Sequence, residues 1–106
     1  MNTVKELLGS AFEYAEVYNI PASGDLYQFS TGDDGRAAFR LSQPTPGIYV
    51  DFEGAAKVIV AFKSYRIVVD LTASGPLYFG EEIVIAGVEL PHRGTVKVKV
   101  VNQPPK

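Results

Sequence analysis

The sequence predicts a mainly β domain, an antiparallel sandwich or half-open barrel of six to seven strands, with one α-helix at the N-terminus. Three observations lead there. The densest β-branched apolar run, Val58-Ile59-Val60 followed by Ile67-Val68-Val69, reads as strand buried on both faces, because it is short, rich in Val and Ile and does not alternate. Further stretches alternate apolar and polar residues with the period of two that a half-buried strand requires. A single segment, Thr3 to Tyr18, carries helical periodicity instead. A helix covering one face of a single curved sheet is the second architecture that fits.

In the helical segment Val4, Leu7, Leu8, Ala11, Phe12, Ala15 and Tyr18 form one apolar stripe. Thr3 and Glu6 have capping-box spacing, and Asn19 and Pro21 end the periodicity. Leu26–Ser30 and Arg36–Leu41 are expected to pair as a hairpin across Asp33-Asp34-Gly35, a type I turn over the aspartates followed by a left-handed glycine bulge. That register sets Phe29 against Phe39 and Gln28 against Arg40. After the Ser42–Gly47 loop, Ile48–Glu53 alternates cleanly and would pair next, placing Phe39 against Val50 and Arg36 across from Glu53. Ala56–Leu71 is one long bent strand or two strands meeting at Lys63-Ser64. Glu82–Val88 and Gly94–Val101 close the fold around a turn at Pro91–Gly94, with Lys97 and Lys99 on the open face of a terminal strand. Residues 1–101 read as one domain and residues 102–106 as a disordered tail.

At 106 residues the chain suffices for one domain that buries roughly two thirds of its unfolded surface. It has no cysteine, which excludes disulfides, thiolate metal sites and a cysteine nucleophile. Charges at Lys5, Glu6, Glu13 and Glu16 break the apolar segment that a signal peptide needs, and no apolar run approaches a membrane helix, so a soluble cytoplasmic protein is expected. The net charge of −2 is unevenly spread: residues 1–53 hold eight acids and three bases, residues 54–106 four acids and seven bases. A pI near 5.3 argues against a nucleic-acid partner despite the basic second half.

Chemistry-bearing residues are few. Asp33-Asp34 lacks the spaced oxygen ligands of a calcium loop and is accounted for by the turn. Asp51 and Glu53 share one strand face with Tyr49 and could form an acid pair, but cross-strand ion pairing with arginines is the simpler reading. His92 is the single histidine and sits in a turn without a named supporting ligand or nucleophile. There is no phosphate loop, dinucleotide fingerprint or nucleophile elbow. No catalytic residue, metal or cofactor is therefore expected.

Two stretches carry resemblances. Val4 to Ala15, leading into Tyr27-Gln-Phe-Ser-Thr-Gly-Asp-Asp-Gly, resembles the opening of small uncharacterised tailed-phage proteins over about a third of the chain, and implies a phage origin without implying an activity. Asp33-Asp-Gly-Arg-Ala-Ala-Phe followed by Pro46-Gly-Ile-Tyr is similar to the turn–strand–turn rhythm of carboxypeptidase-regulatory-like β-sandwich modules, to which the leading helix is foreign.

The function expected from these features is a non-catalytic protein–protein interaction or structural module. With a phage origin it would be a virion component or an inhibitor of a host protein, acting in the virion or the host cytoplasm. A small-ligand-binding β domain is the alternative, and a carboxylate-dependent enzyme using Asp51, Glu53 and an arginine the third reading. The partner-binding candidates are Leu77, Tyr78 and Phe79, an aromatic-rich loop between Gly75-Pro76 and Gly80, together with the basic pair Lys97 and Lys99. The partner would be another protein or a second copy of the chain. Whether the 77–79 loop anchors that partner or folds back onto the core is left open by the residues themselves.

Overall fold

The computed structural model describes residues 3–101. A short helix α1 (Val4–Leu8) and a 3₁₀ turn (Ser10–Phe12) precede nine strands among the described residues. These are β1 (Val17–Ile20), β2 (Tyr27–Ser30), β3 (Arg36–Leu41), β4 (Gly47–Asp51), β5 (Ala56–Ala61), β6 (Arg66–Leu71), β7 (Gly75–Tyr78), β8 (Ile85–Glu89) and β9 (Thr95–Val101). They form two sheets, ordered β1-β3-β8-β5-β6 and β2-β9-β4-β7, that face each other without closing into a barrel. The expected six to seven strands are too few, because β1 and β7 form where the sequence predicts a helix and an irregular loop. Pairing is antiparallel except between β1 and β3. The expected tail at 102–106 lies outside the described residues.

The expected meander does not form. Consecutive strands mostly alternate between the sheets, and β5–β6 is the hairpin of successive strands among the described residues. The Asp33-Asp34-Gly35 turn itself is present: the Gly32 amide donates to the Arg36 carbonyl at 3.0 Å, the Gly35 amide to the Gly32 carbonyl at 2.9 Å, and Gly35 has φ +81°. Beyond that one pair the strands separate. The Thr31 amide donates to the Gly94 carbonyl and the Leu90 amide to the Gly35 carbonyl, so β2 continues along β9 and β3 along β8. The turn is a corner between sheets rather than a hairpin tip. Gly35 is required twice there, by its positive φ and because a Cβ would sit 2.3 Å from the Leu90 carbonyl oxygen.

The apolar matching that suggested the hairpin is satisfied across the sandwich. Phe29 and Phe39 meet with ring centroids 5.8 Å apart, one from each sheet, and Tyr18 stacks on Phe29 at 4.8 Å. Ile48, Val50, Val58, Val60, Val88, Val96 and Val98 fill the same interior and are fully buried. Arg36 does not reach Glu53; it donates to Glu89 at 2.8 Å on β8 and to Asp34 at 3.3 Å. The Ile67–Val69 run is not buried on both faces either. Strand β6 is a sheet edge, and Val68 is 56% exposed.

The N-terminal helix begins as the sequence predicts. The Glu6 amide donates to Thr3 Oγ1 at 3.2 Å and the Thr3 amide to Glu6 Oε1 at 3.3 Å. It stops at Leu8 rather than Tyr18, because Gly9 adopts φ +104° and its amide caps the Lys5 carbonyl. Val17–Ile20 is then free to pair with β3. Leu8 and Phe12 cover Ala38, Ala61 and Ile85 on the outer face of the five-stranded sheet. Phe12 lies so close over Gly87 that a Cβ there would be 2.7 Å from its ring. Truncating Phe12 to Ala should cost about 3 kcal/mol or more in urea denaturation. Gly87→Ala should be destabilising in the native background and much less so beside Phe12→Ala; additive effects would show that the two do not share a contact.

Candidate functional site

The helix packs on the outer face of the five-stranded sheet, and among the described residues no helix covers the outer face of the four-stranded one. Three cross-strand rows make up that face. The first is Gln28, Lys97 and Asp51; the second is Lys99, Tyr49 and Pro76; the third is Val101, Gly47 and Tyr78. Residues between them in sequence, such as Val98, Val100, Ile48 and Val50, point into the core. Strand β9 lies between β2 and β4, so Lys97 and Lys99 are in the middle of a sheet. They do not guard a terminal edge as the sequence reading had it, because the last strand in sequence is inserted between earlier ones. Lys99 Nζ is 5.4 Å from the Tyr49 ring centroid, a cation–π distance.

Strand alternation divides the Leu77-Tyr78-Phe79 group. Leu77 and Phe79 are half-buried against the core, and Phe79 meets the Phe62 ring edge-on at 5.4 Å. Tyr78 points outward and is 39% exposed. Its ring covers Gly47, where a Cβ would be 2.9 Å from Tyr78 Cδ2, so a tyrosine and a glycine share the volume of two ordinary side chains. The edge is held in place by hydrogen bonds that the sequence does not advertise. The Phe79 amide donates to the Pro46 carbonyl at 2.8 Å, and the fully buried Thr45 hydroxyl donates to the Val101 carbonyl at 3.0 Å and accepts from the Gly47 amide. Thr45 sits in a loop that reads as generic turn material, and its polar side chain gave no sign of burial.

At the other end of the same face, the row of Gln28, Lys97 and Asp51 runs into a groove of about 580 Å³. The β4–β5 loop adds Glu53 to its lining, and the β8–β9 turn adds His92 and Arg93. The sequence reading treated Asp51, Glu53 and His92 separately; the fold brings them to one groove with two cations. The Ser74 hydroxyl accepts from the Phe52 amide at 3.0 Å and shares its proton between the Phe52 carbonyl at 3.1 Å and Asp51 Oδ1 at 3.3 Å. Arg36, the arginine expected opposite Glu53, belongs to the other sheet. Among the described residues no three His, Cys, Asp or Glu side chains converge as metal ligands. Asp34 stays in the corner, its Oδ1 accepting from the Arg36 amide at 3.0 Å, while Asp33 Oδ1 reaches the groove's Arg93 at 3.5 Å. No helix among the described residues is long and apolar enough to cross a membrane.

Two outcomes follow from this geometry. Tyr78→Ala should remain folded and lose only about 1 kcal/mol, whereas Phe79→Ala, which empties space beside Phe62, should lose about 2 kcal/mol or more in the same denaturation assay. The double substitution Asp51→Asn with Glu53→Gln should leave the melting temperature equally insensitive to added Mg²⁺, Ca²⁺ or Zn²⁺. A cation-dependent rise that the double variant abolishes would give the groove a metal.

The chain matches no protein-family model and no curated protein, so the reading of this face rests on its own chemistry.

Proposed function

We propose that the protein is a non-catalytic interaction or structural module that binds an acidic segment of a partner protein on the outer face of its four-stranded sheet. The observation that carries this reading is the composition of that face, which no helix covers among the described residues. Tyr78 is seated over Gly47 beside Val101, Pro76, Tyr49 and Lys99 form the next row, and Lys97 stands opposite Asp51 in the row beyond. Tyrosine and proline offer contact area with little side-chain entropy to lose, and the sheet beneath holds them in place before binding. The lysines supply long-range attraction to carboxylates and the aromatic row supplies the anchor. The phage resemblance of the N-terminal third fits this role, since a virion component and an inhibitor of a host protein both act through protein contacts.

The groove favours a second reading, a small polar ligand held by Asp51, Glu53, Arg93 and Lys97. One selection separates the two. Peptides enriched on the immobilised protein from a random library should be rich in Asp and Glu, and should lose binding at least tenfold to Tyr78→Ala and to Lys97→Glu with Lys99→Glu. Their amide-shift perturbations should centre on Tyr49, Tyr78 and Lys99. Binders that ignore these substitutions and perturb Glu53, His92 and Arg93 would move the function to the groove.

A further inference from the structure

We propose that the domain also forms a two-fold homodimer by pairing β6 with the β6 of a second copy, extending the five-stranded sheet across the dimer. This surface belongs to the other sheet and does not rest on the reading of the Tyr78 face. Of the four sheet edges, β7 is interrupted by Pro76, and β1 and β2 have four residues each. Strand β6 has six residues with no proline or lysine, and its two charged residues, Arg66 and Asp70, are of opposite sign. It has no partner strand on its outer side among the described residues. Val68 near its centre is 56% exposed, and Tyr65, just before the strand, 50%.

The hydrogen-bond pattern fixes which groups are free. The Phe62 amide donates to the Tyr65 carbonyl at 2.7 Å, which closes the β5–β6 hairpin on a hydrogen-bonded pair. Antiparallel pairs alternate between hydrogen-bonded and non-hydrogen-bonded, so Ile67, Val69 and Leu71 direct their backbone groups toward β5. Arg66, Val68 and Asp70 direct theirs to the open edge. An antiparallel partner must match free groups with free groups, and the register that uses all of them is centred on Val68. It sets Val68 opposite Val68, Arg66 opposite Asp70, and Asp70 opposite Arg66.

That register is self-complementary in side chains as well as backbone, as a two-fold interface requires. On the outer face both charged pairs are of opposite sign and directly cross-strand, and they flank a contact between the two exposed valines. On the inner face Ile67 meets Val69 and Tyr65 meets Leu71, so apolar faces apolar throughout. Asp70 already lies beside Lys57 on β5, in a row of alternating charge that runs Arg36, Glu89, Lys57, Asp70; Arg66 of the second copy continues the alternation. Arg66 is held over this face by contacts of its Nη1 with the carbonyls of Glu6 and Leu7, 3.4 Å each. The helices lie over β5 and β8, about four strand spacings or ~19 Å from their symmetry copies, which leaves room for both.

Sedimentation equilibrium of the full chain over a wide concentration range tests the proposal. The native protein should show a monomer–dimer equilibrium, and Val68→Lys should abolish it. Asp70→Arg should weaken dimerisation about tenfold or more, because it opposes like charges at both symmetric pairs. Arg66→Asp should do the same, and Arg66→Asp with Asp70→Arg should restore the dimer. An equimolar mixture of the two single variants should form a heterodimer that neither forms alone. Melting curves guard against loss of the α1 contact in Arg66→Asp, and Asp70→Arg and Val68→Lys touch no helix carbonyl. A native chain that is monomeric throughout, or a dimer indifferent to Val68→Lys and Asp70→Arg, overturns the proposal. A folded double variant that stays monomeric overturns the register.

Discussion

The contact between the inner faces of the two sheets is the constraint on which the rest of the structure depends. Each sheet is assembled from strands far apart in sequence, with β9 pairing β2 and β4, and β8 pairing β3 and β5. Most successive strands lie in different sheets, so local hairpins supply little of the pairing. What brings the strands into place is burial: Phe29 against Phe39, with Ile48, Val50, Val58, Val60, Val88 and the valines of β9 around them. Fully burying a Val, Ile or Phe side chain contributes on the order of 1.5–3 kcal/mol, more than a net backbone hydrogen bond at about 1 kcal/mol. A topology of distant pairings also predicts slow folding, since loop closure precedes the contacts that reward it.

The two outer faces have different fates, and the division has a simple origin. Helix α1 and the turn after it are short and pack around Ala38, Ala61, Ile85 and Gly87, with Val17 and Ile59 at the margin. Strand β6 lies beyond their reach, which leaves Val68 in solvent. The four-stranded sheet receives no helix among the described residues, and its outward residues are correspondingly amphipathic: Tyr49, Tyr78, and lysines whose stems can lie on apolar surface while their heads stay wet. The same alternation that buries Leu77 and Phe79 exposes Tyr78, so the stability of the β7 edge and the chemistry of the face are carried by different residues of one tripeptide.

The groove at the end of that face shows how charges remote in sequence become neighbours. Asp51 and Lys97 are cross-strand partners on β4 and β9, and the two loops that leave those strands bring Glu53, His92 and Arg93 to the same rim. None of these residues carries a motif. Their convergence depends on β9 being inserted between β2 and β4, a pairing across most of the chain. Spacing along the sequence contains no information about it.

The sequence by itself determined what depends on near neighbours. The capping box at Thr3 and Glu6, the Asp33–Gly35 turn with its left-handed glycine, the alternation of β4 and β9 and the positions of most strands follow from interactions within a few residues. It marked Phe29, Phe39 and Val50 as apolar-face residues, but the one meander face expected for them is instead two facing sheets. Only the tertiary structure decided which strands pair. The expected meander and the observed sandwich both match apolar with apolar, and a period-two pattern marks an inner face without naming the face it meets. The helix was overextended because an apolar stripe through Gly9 fits a helix; Gly9 takes φ +104° and ends it, and Phe12 then seats over Gly87 on a sheet built from later strands. Of the candidate partner face, the residue types at Tyr78, Lys97 and Lys99 were legible. Their placement on one open surface, with Leu77 and Phe79 turned inward, required the second sheet to exist.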